Sequence, residues 1–132
     1  MQGISSKIHT LSFISKTLLK IGNLEDSVAL AYYAMYHSLL ALLFRVGIKC
    51  ENHTAAILLL QEVFAISNEN IMKAKTERVD KQYYIDFNIN KQETEQAVSI
   101  AEEFIAILKE FTDKLNNTTI AEYQKVNEKI IK

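Results

Sequence analysis

The chain has 132 residues and a mass of 15.1 kDa, with 48% hydrophobic and 23% charged residues, which is one domain able to build a core without metal or disulfide staples. Proline is absent and glycine occurs only at Gly3, Gly22 and Gly47, which argues against a turn-rich β-sandwich or barrel and excludes a P-loop or a dinucleotide fingerprint. Fifteen basic and sixteen acidic residues leave a net charge of −1, so no global positive field draws the chain to nucleic acid or to an anionic membrane.

The first helix is expected from Ser5 to Ile21, where Ile4, Ile8, Leu11, Ile14, Leu18 and Ile21 make one apolar stripe. Lys7, Lys16 and Lys20 interrupt this segment. It therefore lacks the pattern of a signal peptide, and the cytoplasm is the expected location. Gly22 ends the helix and Asn23 caps the next one, with Glu25 and Asp26 in its first turn. That second helix runs to Val46, with Gly47 as its stop, over roughly 35 Å at 1.5 Å per residue. Ser27 to Phe44 carry no formal charge, which is close to the length of a membrane span. Ser27, Tyr32, Tyr33, Tyr36, His37 and Ser38 are a polar load that lipid disfavours, so the segment reads as the central helix of a bundle.

The third helix is expected over His53–Ile66, capped by Asn52 or His53, and the fourth over Glu69–Phe87 after the polar break Ser67-Asn68-Glu69-Asn70. A second break at Asn88-Ile89-Asn90 precedes a fifth helix, Lys91–Leu115, with a stripe of Ala97, Ile100, Ala101, Phe104, Ile105, Leu108 and Phe111. Asn116-Asn117-Thr118 is a stop and restart. Thr119–Lys132 is weakly amphipathic and reads as a sixth short helix or a frayed end. The fold class is all-α, a four- to five-helix up-and-down bundle over residues 1–115, with a helical tail over 116–132.

Few residues offer chemistry. Cys50 is the single cysteine, which excludes an internal disulfide and a multi-cysteine zinc site. His9, His37 and His53 lie far apart, and neither HExxH nor the Glu-x-x-His pairs of a di-iron bundle occur, so no metal or cofactor is expected. Cys50 and His53 are close in sequence, but nothing in their spacing activates a nucleophile. Two constellations stand out. In Tyr32-Tyr33-Ala34-Met35-Tyr36-His37, Tyr32 and Tyr36 share one helix face, while Tyr33 and His37 share the next. These four residues read as core aromatics with hydrogen-bonded polar ends, or as a dimer interface or ligand surface. On the fourth helix, Lys75, Arg78 and Lys81 or Gln82 line one face, followed by Tyr83 and Tyr84. That face is a solvated one laced with ion pairs such as Glu77 with Lys73 or Lys81, or a place where Arg78 holds a phosphate and a tyrosine stacks a base.

Taken together, these segments resemble HEPN-domain proteins. Ala31-Tyr32-Tyr33-Ala34-Met35-Tyr36-His37-Ser38-Leu39-Leu40-Ala41-Leu42-Leu43 is similar to the family's "YYAMFHA…ALL" helix. Gly47 and Asn52-His53-Thr54-Ala55 resemble its "G…SH.G" turn, with Asn for Ser; Arg78 to Tyr83 stand where it has "R..ADY"; and Ala97 to Ile107 resemble its closing "A..A..FI..I" helix. The resemblance covers roughly residues 10 to 112. It implies a helical bundle, usually a homodimer. Many such proteins pair with a minimal nucleotidyltransferase in toxin–antitoxin modules, and others bind or cleave RNA. Ribonuclease members carry Arg, four to six intervening residues and then His at a dimer cleft. The Arg corresponds to Arg78. Those later positions hold Tyr83, Tyr84 and Ile85, and no histidine follows Arg78 anywhere in the chain. Metal-independent cleavage needs a base and an acid near neutral pH, and an ordinary tyrosine is a poor base there.

The resemblance therefore implies a non-catalytic or degenerate member that binds nucleotide, RNA or a nucleotidyltransferase partner. In that reading Arg78 holds phosphate, Tyr83 or Tyr84 stacks or hydrogen-bonds, and His53 shapes the adjoining turn. One alternative is a ribonuclease using Arg78 with Tyr83 or His37 as base. Another is a structural interaction module whose Arg78 only pairs with carboxylates.

Overall fold

A computed structural model describes residues 2–83 and 90–131, with side chains from residue 6 to 78 and from 90 to 130. Six helices make up its regular structure: α1 Gln2–Lys20, α2 Leu24–Val46, α3 His53–Phe64, α4 Glu69–Tyr83, α5 Lys91–Asp113 and α6 Asn117–Ile131. The all-α expectation holds. The Thr119–Lys132 segment, read as helix or frayed end, is helical through Ile131.

The bundle is organised around α2, which packs against each of the other five helices. Tyr32, Leu39, Leu42 and Val46 along it are fully buried, and with Ile57, Leu60, Ile71, Phe104 and Leu108 they make the core. α2 is the one described helix long and apolar enough to cross a membrane, and 61% of its apolar window is buried inside the protein. Its apolar length is thus used on neighbouring helices.

The α1 stripe differs from the expected one. Ile8 is buried, but Ile14 and Ile21 are exposed, and the buried residue in the middle of the helix is Ser15. The contact seam follows Ile8, Ser15 and the half-buried Leu18 and Leu19, a seven-residue spacing suited to a long neighbouring helix. Ser15 Oγ donates to the Ser27 carbonyl at 2.7 Å and Ser27 Oγ returns a bond to the Ser15 carbonyl at 2.7 Å. Two small residues that satisfy each other's hydroxyls let the helices approach closely where leucines would hold them apart.

The helix ends follow their punctuation with three exceptions. Asn52 Oδ1 accepts from Ala55 N at 2.9 Å and Asn90 Oδ1 from Glu93 N at 2.7 Å, so both are working N-caps. Asn23 occupies the N-cap of α2, but its side chain caps no backbone N–H; its Nδ2 donates to Asp26 Oδ2 instead. α3 ends at Phe64 rather than Ile66, because Ala65 turns into the left-handed region with φ 55°. α5 ends at Asp113, and its expected last residue, Leu115, is buried in the turn that follows.

α6 packs on α3 and α2. Tyr123 lies 4.9 Å from Phe64 and 5.8 Å from Phe111, ring centre to ring centre. Gln124 Nε2 donates to the Val46 carbonyl at 2.8 Å, and Arg45 reaches the Leu115 carbonyl at 3.4 Å. The last turn of α2, whose carbonyls have no partner within the helix, is therefore tied to the far end of the chain.

Candidate functional site

On α4, Ile71 is fully buried, and Ala74, Lys75 and Arg78 are half-buried. Arg78 stands seven residues after Ile71, two helical turns along the same face. The face that reads in sequence as a basic stripe is thus partly a packing face, and it directs Arg78 back across α2.

There Arg78 meets the tyrosine run. Its Nη1 donates to Tyr33 Oη at 2.7 Å. Its guanidinium carbon lies 5.3 Å from the Tyr32 ring centre and 5.2 Å from that of Tyr33, within cation–π range of both. Tyr32 is completely buried, and its Oη lies 2.9 Å from His53 Nδ1. The His53 ring stacks on Tyr36 at 3.7 Å between centres and 19° between planes. Three helices converge here: α2 supplies the tyrosines, α4 the arginine and α3 the histidine, placed at the first position of α3 by the Asn52 cap.

The electrostatics follow from this packing. Burial pushes the Tyr32 hydroxyl up to about 12, against the opposing pull of Arg78, so it stays protonated. Burial also raises Tyr36, with Cys50 adding to it. His53 is lowered below its ordinary value by burial and then by the charges of Arg78 and Lys75. His37 is lowered by burial, Lys7 and His53. Both histidines are thus biased to the neutral form at neutral pH.

The structure brings Arg78, His53, Tyr32, Tyr33 and Tyr36 into one cluster, with Lys75 close enough to act on His53. His37 touches it only at the edge, its ring 6.0 Å from Tyr36. Tyr83 is described only as the last residue of α4, and Tyr84 lies outside the described residues. Of the two ion pairs expected for Glu77, the one with Lys73 is not formed and the one with Lys81 lies outside the described side chains; among the described residues the ion pairs are Lys16–Glu102, Lys109–Asp113 and Lys114–Glu110. Lys73 and Glu77 instead line a groove of about 100 Å³ with Met35 and Glu93. No group of three or more His, Cys, Asp or Glu suited to a metal ion occurs among the described residues.

Sequence reasoning missed one relation: Tyr32 and Tyr33 are the seat of Arg78 and the partner of His53, besides being core residues. The contacts span 45 residues from Arg78 to Tyr33 and 21 from His53 to Tyr32, so no local spacing announces them. In comparison with known proteins, a model of the HEPN domain matches residues 14–111. No curated protein matches the chain.

Proposed function

The chain belongs to the HEPN family, and on that premise we propose that it is a non-catalytic, nucleotide- or RNA-binding member. It acts in the cytoplasm as a homodimer, in a toxin–antitoxin-like module with a nucleotidyltransferase partner. The observation that carries the binding role is the mounting of Arg78. Its guanidinium is backed by two tyrosine rings and steered by one tyrosine hydroxyl, with Lys75 a turn away on the same helix. A pre-oriented guanidinium is suited to a phosphate oxygen, and ordering it in advance lowers the entropic cost of binding. The absence of any histidine after Arg78 supports the non-catalytic part.

A ribonuclease reading is favoured by one observation, the arrival of His53 in the Arg78 cluster from a different helix. The two readings separate in one assay. RNA is incubated with the wild type and with Arg78→Ala in EDTA, and binding and cleavage are measured on the same preparations. The binding reading expects salt-dependent binding, weakened in the variant, with no cleavage by either. Cleavage by the wild type that is lost in Arg78→Ala would establish the ribonuclease. Absence of RNA and nucleotide binding, with Arg78→Ala lowering only stability or dimerisation, would leave an interaction module.

A further inference from the structure

His53 carries a further consequence, which rests on the binding reading above. Tyr32 is fully buried and keeps its proton, and the proton needs an acceptor. The hydrogen bond of its hydroxyl goes to His53 Nδ1 at 2.9 Å. Arg78, over its ring, offers only donors. If Nδ1 carried the imidazole proton, Tyr32 would have to accept it, and the hydroxyl proton would be left inside the core without a partner. The arrangement that satisfies both groups has Tyr32 donating and Nδ1 accepting. The neutral ring then holds its proton on Nε2. The stack on Tyr36 fixes the ring plane.

We propose that His53 is a phosphate-binding residue locked as a hydrogen-bond donor: Tyr32 fixes its tautomer, and Nε2–H joins Arg78 and Lys75 in holding a nucleotide phosphate. This gives the three side chains complementary tasks. Arg78 and Lys75 supply charge. The ring supplies a directed N–H without adding a third full charge to an already basic cluster, which is consistent with the lowered proton affinity those cations give it. The same lock makes Nε2 of the neutral ring unfit to take a proton from a ribose hydroxyl, so His53 does not replace the absent motif histidine as a general base.

The test uses the full chain labelled with ¹⁵N-histidine, and AMP as the probe, with inorganic phosphate in parallel. The ring-nitrogen shifts of free His53 are expected to show Nδ1 unprotonated and Nε2 protonated. Tyr32→Phe removes the lock while keeping the ring that fills the core, and should yield a mixture of tautomers. Addition of AMP should move the Nε2 resonance and raise the pKa of His53, as an anion at the ring must. His53→Gln, which places an amide N–H near the Nε2 position, should keep AMP affinity within about twofold. His53→Asn, which can still accept from Tyr32 but reaches less far, should lose about tenfold, the worth of a hydrogen bond to a charged group. An equal response to inorganic phosphate would show that the site takes phosphate alone, whereas a stronger response to AMP would show recognition of the nucleoside as well; both support the proposal. A proton on Nδ1 in the free protein would overturn it. So would AMP binding that depends on Arg78 but is unchanged in His53→Asn, and that result leaves the nucleotide-binding reading intact. If neither AMP nor RNA binds the wild type, both fall together.

Discussion

Tyr33 stands between the core and the candidate site, because its hydroxyl is the acceptor that orients Arg78. Tyr33→Phe keeps the ring under the guanidinium and removes only the hydrogen bond. The expected loss is about 1–2 kcal/mol of stability, read by urea denaturation, together with weaker RNA binding from a less ordered arginine. The histidines set a pH dependence at the same scale. Both His37 and His53 have folded-state pKa values below the ordinary 6.5, for each through burial first. The neighbouring charges are Lys7 and His53 around His37, and Arg78 and Lys75 around His53. The folded protein therefore binds fewer protons than the unfolded chain. The stability they contribute is complete above the ordinary histidine range and is lost as pH falls through about 6.5 toward the lowered values. Denaturation midpoints measured between pH 7.5 and 5 should fall on acidification, and the slope should flatten in the His37→Gln, His53→Gln double variant.

Among the elements, α2 and its ends were the most legible in sequence. Gly22 and Gly47 stand at its two boundaries with φ of 84° and 81°, conformations that L residues rarely adopt, and both were readable as stops. A side chain at Gly47 would add a second fault, since a Cβ there meets Gln124 Nε2 at 3.3 Å. Gly47→Ala is expected to cost about 1 kcal/mol or more, visible as a lowered thermal midpoint, while Asn52→Ala should cost about 1 kcal/mol through loss of its cap. The α1 seam was less legible. Isoleucines at three- and four-residue spacing suggested the stripe, but α1 turns Ser15 inward to meet Ser27 and leaves Ile14 and Ile21 outside. A buried serine pair has no hydrophobic signal, and only the partner helix reveals it. The site divides in the same way. Arg78 and His53 were visible as residue types in suggestive places, whereas their meeting across Tyr32 and Tyr33 depends on how α3 and α4 cross α2.

At the scale of the whole molecule, the bundle depends on one helix that contacts all the others. Leu39 is fully buried near the middle of α2. Leu39→Asp would put an unpaired carboxylate in the core and is expected to abolish cooperative folding, as judged by circular dichroism and a melt. A folded, soluble Leu39→Asp protein would contradict the assignment of α2 as the central helix. The tie between Gln124 and the Val46 carbonyl has a consequence for the order of events during synthesis. Its two ends are 78 positions apart. At about 5–20 residues per second, roughly 4 to 16 s pass between the two ends leaving the ribosome's catalytic centre. In that interval the Val46 carbonyl has only water to satisfy it, and for most of it Phe64 has neither Phe111 nor Tyr123 against it. The nascent chain thus presents an incomplete apolar end while it is still being made, and a chaperone that shields such surfaces would act on this protein before α6 emerges, and not after.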